Sequence, residues 1–324
     1  MNAMTLETEL SRRDRTRGAL IGLAVGDALG TTLEFTRPGA FAPIDDMLGG
    51  GPFRLAPGQW TDDTSMALCL AESLIARDGF DAEDQMRRYL RWRDEGYWSS
   101  NGRCFDIGNT IAAALTRFEN DWNPFAGSTD PHTAGNGSLM RLAPVPLAFA
   151  HAPAEAVRLA GRMSRTTHAA PEAVDACRYL AGLIVGALQG IARDELLGPR
   201  FAPPGVDWTT HPLSRQIDAV AAGRFKEREP PMIRGTGYVV QSLEAALWAF
   251  WTTDNFRDGA LKAVNLGEDA DTTGAIYGQL AGAYYGHATI PESWRVRIAL
   301  SDAILDLADR LLDLSERRRS PKDA

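Results

Sequence analysis

Two short acidic segments hold the residues most able to do chemistry. Trp60-Thr61-Asp62-Asp63-Thr64 runs into an apolar-periodic stretch at 66–75, and Gly267-Glu268-Asp269-Ala270-Asp271-Thr272-Thr273 runs into a glycine-spaced stretch from Gly274. Each sets two aspartates and a threonine at a predicted helix N-terminus. Asp and Thr are favoured caps there, and the positive end of the helix dipole favours acids. A cap needs one such residue, whereas each segment carries several. If the segments converge, Asp62, Asp63, Asp269 and Asp271 bring four negative charges into a small volume. Some carboxylates must then take up protons unless cations neutralise them. Two divalent ions would balance four carboxylates, and an oxygen-only donor set selects Mg²⁺, Mn²⁺ or Ca²⁺ over zinc or copper. The hydroxyls of Thr61 and Thr272 would complete the coordination. On spacing alone, capping and metal binding both stand.

The elements that must bring the segments together carry a second pattern. Gly18, Gly22, Gly26 and Gly30 recur every four residues, as do Gly274, Gly278, Gly282 and Gly286, while Gly182, Gly186 and Gly190 form a third row. Glycine costs about 1 kcal/mol relative to alanine inside a helix, so four in one helix need a compensating gain. Placed at i, i+4 and i+8 they make a smooth ridge that lets another helix backbone approach closely. The rows predict tight helix packing at the centre, with Asp27 and Glu34 brought near the residues before Gly274. Avoidance of clashes with bulky neighbours is the other reading. No GxGxxG follows a strand pattern and no GxxxxGK[ST] occurs, so these glycines do not make a dinucleotide or P-loop fold.

Helical periodicity recurs at 66–75, 154–163, 171–191, 239–251 and 294–312, with a further helix expected around 213–222. Pro and Gly cluster in the connections 38–58, 121–137 and 198–231. Alternating strand patterns are scarce. The expectation is an all-α chain with one domain over 17–314 and polar, frayed ends at 1–16 and 315–324.

At 324 residues, 44% apolar and 23% charged, the chain can bury a large core, and a net charge of -8 argues against broad contact with nucleic acid or anionic lipid. Cys69, Cys104 and Cys177 are far apart and form no CxxC pair, which disfavours a disulfide framework or thiolate zinc site. The charged N-terminus does not read as a secretory signal, and the apolar stretch 18–30 is too short to span a bilayer and contains Asp27. A cytoplasmic protein without a membrane partner is expected, with a monomer the simplest state.

Five motifs resemble, in order, those of the ADP-ribosylglycohydrolase family, which includes the dinitrogenase reductase-activating glycohydrolase. They are GALIGLAVGDALGTTLEF at 18–35, GQWTDDTSMAL at 58–68, HTAGNGSLMRLAPVPLAF at 132–149, THAAPEAVDACR at 167–178 and NLGEDADTTGAIYGQLAGAYYG at 265–286. The pattern is similar to bacterial members in particular. The resemblance implies an orthogonal multi-helix bundle around a central cleft with a binuclear Mg²⁺ or Mn²⁺ centre. Carried over to matching positions, Thr61, Asp62, Asp63, Asp269, Asp271 and Thr272 would be ligands, and Glu34 would match the family glutamate. Asn136, Gly137 and Ser138 match a loop around the phosphates and ribose of ADP-ribose. Taken by themselves, they make an ordinary Asn-Gly turn. His168 matches a histidine near the substrate. Arg141 is expected to anchor the loop rather than touch ligand. Asp106 would contact the ribose or leaving group, or cap the helix from Asn109. Tyr238 would stack on adenine, line the leaving-group side, or belong to the core. Trp122 and Phe125 are weaker candidates for a stacking wall, whereas Trp248, Phe250 and Trp251 are expected in a helix core.

The implied reaction cleaves the bond between C1″ of the distal ribose and an acceptor nitrogen or oxygen, through an oxocarbenium-like state. Glu34 is the preferred base, with a metal-bound aspartate such as Asp62 or Asp271 the alternative, in which case Glu34 would gate the metal site. The substrate would be an ADP-ribosylated protein or a small ADP-ribosyl conjugate, with arginine the favoured linkage. The alternatives are serine-linked ADP-ribose, O-acetyl-ADP-ribose, a non-catalytic ADP-ribose binder and a metal-dependent phosphohydrolase.

Overall fold

The computed structural model describes residues 3–319, with side chains from residue 12 onward. Fourteen α-helices and three single 3-10 turns follow one another, and among the described residues β pairing is limited to isolated bridges. In chain order the helices are α1 (Ala3–Gly30), α2 (Asp62–Ala76), α3 (Ala82–Glu95), α4 (Asn109–Asp121) and α5 (Pro144–Ala148). Then come α6 (Pro153–Arg165), α7 (Pro171–Leu188), α8 (Arg193–Leu196), α9 (Arg215–Ala221) and α10 (Val239–Trp251). The last are α11 (Phe256–Val264), α12 (Ala270–Tyr285), α13 (Glu292–Arg295) and α14 (Ser301–Arg318).

The first and second glycine rows face each other. α1 and α12 run antiparallel, with Gly18 on Gly282, Gly22 on Gly278, Gly26 on Gly274 and Gly30 on Ala270. A Cβ at those α1 glycines would lie 2.2, 2.4, 2.0 and 2.3 Å from the facing carbonyl oxygens. Only hydrogen fits at that spacing. The third row behaves differently. Gly182 faces the ring of Pro203, Gly186 faces Leu196 and Phe201, and Gly190 lies past the end of α7 at φ 78°. That row relieves side-chain crowding and makes no backbone-to-backbone crossing.

The remaining helices wrap this pair. α14 packs on α1, α2 and α5, while α10 and α11 pack on α12 and α6 packs on α7. A separate apolar cluster from α2, α3 and α4, including Met66, Met86, Tyr89, Trp92, Ile111 and Phe118, props up the acidic N-terminus of α2. As expected, Phe250 and Trp248 are buried on α10.

One sequence expectation is corrected. The periodic run 294–312 is two helices, α13 and α14, because Leu300 takes φ 57° and interrupts the ladder. α1 starts at Ala3, and near residue 17 Thr16 is buried and Arg15 donates to the Ala187 and Ala283 carbonyls at 3.1 Å. The tail is folded as far as Arg318, with Ser315 buried against His151. Positions 1–2 and 320–324 of the expected frayed ends lie outside the described residues. No described helix is long and apolar enough to cross a membrane, and the three cysteines are free thiols.

Candidate metal centre

The α1–α12 crossing ends where the two acidic segments meet. Beyond α1 the chain turns, and a reciprocal backbone pair fixes it to the second segment: Phe35 N–H donates to Glu268 O (2.6 Å) and Glu268 N–H to Thr36 O (2.7 Å). The first segment is held from α1 by Asp27, whose role the sequence reading missed. Its carboxylate accepts from Thr61 N (2.8 Å), Thr61 Oγ1 (3.0 Å), Thr64 N (3.0 Å) and Thr64 Oγ1 (2.6 Å). Asp27 thereby caps α2 from another helix, a job Thr61 does not do with its own side chain. The signal was present as one acid inside the apolar stretch 18–30.

Local capping does not account for the acids. Neither Thr61 nor Asp269, the residues at the N-cap positions of α2 and α12, makes a side-chain capping bond. Instead the carboxylates gather. Oxygens of Asp27, Asp63 and Asp271 lie within 4.8 Å of one another, as do those of Glu34, Asp106 and Asp271. Asp271 belongs to both groups. Thr61 Oγ1 lies 3.0 Å from Asp63 Oδ2 and 3.3 Å from Asp271 Oδ2. Asp62 and Asp269 flank the groups and line the same cleft, and Asn136 Nδ2 donates to Asp269 Oδ2 at 2.8 Å.

Seven acids thus share one site, and among the described residues no ion pair to a lysine or arginine relieves them. Arg234 pairs with Glu268 instead. Burial is the largest cause pushing these groups up, and neighbouring carboxylates add to it for most. Asp62, Asp63 and Asp271 are raised well above the carboxylate range, Asp27 to about 6, Glu34 to about 7 and Asp106 to about 10. Asp63 Oδ1 and Glu34 Oε2 are buried without a hydrogen-bond partner. A crowd of hard oxygen donors with orphaned lone pairs and no internal counter-charge fits a hard divalent cation.

A cleft of 240 Å³ opens onto the acids. Glu34, Asp62, Asp106, Asp269, Asp271 and Thr272 line it together with Gly135, Asn136, Gly137, Met140 and His168. Asp106 is not a cap: Gly108 is the N-cap of α4, and Asp106 sits in the left-handed region at φ 61°. His168 is buried, with Nδ1 2.9 Å from Thr167 Oγ1, and burial followed by the Arg141 charge lowers it to about 3. Arg141 is fully buried and donates to Gly137 O (2.7 Å) and Thr167 Oγ1 (2.6 Å), so it holds the loop from behind.

This chain is matched over residues 8–321 by the model of the ADP-ribosylglycohydrolase family. The chain belongs to that family. It is 43% identical over 298 residues to an ADP-ribosylarginine hydrolase of Serratia proteamaculans, covering 92% of this chain and 79% of the relative. It is 34% identical to an ADP-ribosyl-[dinitrogen reductase] glycohydrolase of Rhodospirillum rubrum, covering 92% of this chain and 98% of that one. A solved structure described as an ADP-ribosylglycohydrolase-related protein complex superposes with a TM-score of 0.82 at 46% identity, over 94% of this chain and 99% of that chain.

Within this ADP-ribosylglycohydrolase fold, several expected site residues lie away from the cleft. Ser138 is fully buried; its hydroxyl shares a hydrogen bond with Ser164 Oγ (2.8 Å) and meets Cys177 Sγ at 3.4 Å, so it faces the core. Tyr238 is neither in the core nor on the cleft lining. It precedes α10 at the rim, 38% exposed, beside Gly135. Trp122 ends α4 with Arg87 over its ring, and Phe125 lies near Arg162, so both rings are used away from the cleft.

Proposed function

We propose that this chain hydrolyses ADP-ribosylarginine on protein, releasing intact ADP-ribose, with two Mg²⁺ or Mn²⁺ ions held between its acidic motifs. The observation that carries the cation reading is Asp271, common to two carboxylate groups that lack any basic partner among the described residues. The arginine linkage is supported by the Serratia relative. Asp63 and Asp271, with Asp62, Asp269, Thr61 and Thr272, would hold the ions. Ions bound there supply Lewis acidity that orients the ribose diol and eases deprotonation of a water.

The chain's own groups divide the remaining work. Glu34, which lines the cleft with Oε2 free of any hydrogen-bond partner, would be the general base that takes the proton of the attacking water. Asp106, pushed up to about 10 by burial and the neighbouring carboxylates while no cation is bound, would contact the ribose or the leaving nitrogen. His168 stays uncharged and, with the backbone of Gly135 and Gly137 beside its ring, would shape part of the cleft lining. Asn136 steadies Asp269, and Tyr238, half-exposed beside Gly135, would stack on adenine.

The test is an ADP-ribosylarginine protein incubated with and without Mg²⁺ or Mn²⁺. Cation-dependent release of intact ADP-ribose is the expected result. AMP or phosphate would instead point to a phosphohydrolase, binding without release to a binding module, and activity confined to serine-linked or O-acetyl substrates to another linkage.

A pH experiment checks the cation site separately. Carboxylates raised on folding stabilise the fold while protonated. The unfolded chain deprotonates first, near about pH 4, so stability falls as pH rises towards the raised values, near 6 for Asp27 and 7 for Glu34. Chelated protein should therefore melt at progressively lower temperature from about pH 5 to about pH 8. Saturating Mn²⁺ should flatten or reverse that slope by favouring the ionised carboxylates. Equal slopes with and without the ion would remove the cation site.

A further inference from the structure

Three phenylalanines from three separate connections meet ring to ring, and one of them, Phe35, lines the cleft. Phe35 follows Glu34 after α1, Phe53 lies in the turn bridged by Gly50 and Leu55, and Phe105 precedes Asp106 before α4. The Phe35 and Phe53 ring centroids are 6.4 Å apart and nearly perpendicular; those of Phe53 and Phe105 are 5.2 Å apart and tilted. Phe35 lines the cleft together with Glu34 and Asp106.

Folding alone does not explain this arrangement. Phe35 is 68% exposed and holds φ 56°, a left-handed conformation disfavoured for a bulky side chain. The reciprocal backbone pair with Glu268 and Thr36 imposes it. Strain that presents an apolar ring to solvent points to a use for the ring. The chain sets its own cations over other aromatic rings, among them Tyr89, Tyr97, Trp208, Trp248 and Trp251. Among the described residues none stands over Phe35, Phe53 or Phe105.

We infer that Phe35, Phe53 and Phe105 form the subsite for the acceptor guanidinium, which stacks on their rings beside the Glu34 and Asp106 carboxylates. This rests on the arginine reading above. A guanidinium is planar, weakly hydrated and well suited to aromatic faces, and it keeps its charge when N-glycosylated. A serine ether or acetyl ester carries no such charge and gains nothing from the rings. The rim therefore selects arginine-linked substrates, while the Gly135–His168 side of the cleft is left for ADP-ribose.

The experiment compares Phe35→Ala, Phe35→Leu and the Phe53→Ala/Phe105→Ala pair with wild type. On ADP-ribosylarginine, kcat/KM should fall about tenfold in each, equivalent to about 1.4 kcal/mol. Inhibition by free ADP-ribose, which lacks the acceptor, and Mn²⁺ affinity by calorimetry should stay unchanged. Phe35→Tyr, which keeps the π face, should retain activity. Full kcat/KM in Phe35→Leu, or an equal weakening of ADP-ribose inhibition, would overturn the subsite. Wild type inactive on arginine overturns both this and the function it rests on; active wild type with indifferent variants overturns the subsite alone.

Discussion

Asp271→Asn is expected to abolish turnover and, in the same preparation, to raise the melting temperature of the chelated protein. Asp271 is the carboxylate shared by both acidic groups, so its loss strikes both proposed ion positions at once. Disturbing a residue behind a metal ligand typically costs about 10–100-fold in affinity; a shared ligand should exceed that range. The stability gain has the opposite sign for a local reason. Burial and the charges of Glu34, Asp63, Asp269 and Asp106 all penalise ionised Asp271, in that order. Asparagine keeps the shape, and its oxygen can still accept the bond from Thr272 N, now 2.7 Å. Each kcal/mol so recovered shifts melting by about 2–4 °C in a domain of this general size. Thermal denaturation in chelator and ADP-ribose release with Mn²⁺ measure the two effects. A lowered melting temperature would show that the acids are not in conflict, and retained turnover would remove Asp271 from the chemistry.

Gly26→Val tests the scaffold beneath that site. A Cβ at Gly26 would lie 2.0 Å from the Gly274 carbonyl oxygen and 2.3 Å from its carbon, both backbone atoms in a helix. Neither can rotate away, so α1 and α12 must separate. Overpacking of this kind costs about 1–3 kcal/mol and sometimes more, which outweighs the helix-propensity gain of a few tenths of a kcal/mol over glycine. Melting should fall by about 5 °C or more. Turnover should fall further than the folded fraction explains, because Asp27 and Gly274 adjoin the crossing and carry the two acidic segments. Gly182→Ala is the contrast: its nearest neighbour is the Pro203 ring at 3.2 Å, outside the α1–α12 crossing. Its melting temperature should stay within a few degrees of wild type. A Gly26→Val protein as stable and active as wild type would mean that the helices tolerate separation.

The contrast between these glycines marks what the sequence could and could not disclose. A four-residue glycine period that occurs in two rows of matching length favours a close backbone crossing, so the α1–α12 packing and the convergence of residues 61–63 with 269–272 were legible. The same period in α7 looked identical in sequence yet meets only side chains, because a period reports a face and not its partner. Asp27 was visible as an acid in an apolar stretch, but its use as a cap for α2 depends on a contact between residues 34 positions apart. Ser138 illustrates a further limit: next to Gly137 on the cleft wall, its hydroxyl points inward to Ser164. The phenylalanine rim left no periodic trace at all, since its members come from irregular connections where spacing carries no geometric rule.

The antiparallel crossing also sets when the centre can exist. α1 ends at Gly30, while α12 begins at Ala270. At roughly 5–20 residues per second, tens of seconds of synthesis separate the two glycine faces. Throughout that interval α1 offers a ribosome-bound chain a smooth apolar ridge with no native partner, and the first acidic motif is without the second. The two acidic segments therefore cannot meet before α12 has been made, and a product terminated before Ala270 lacks Asp271 and leaves the α1 glycine face without its partner.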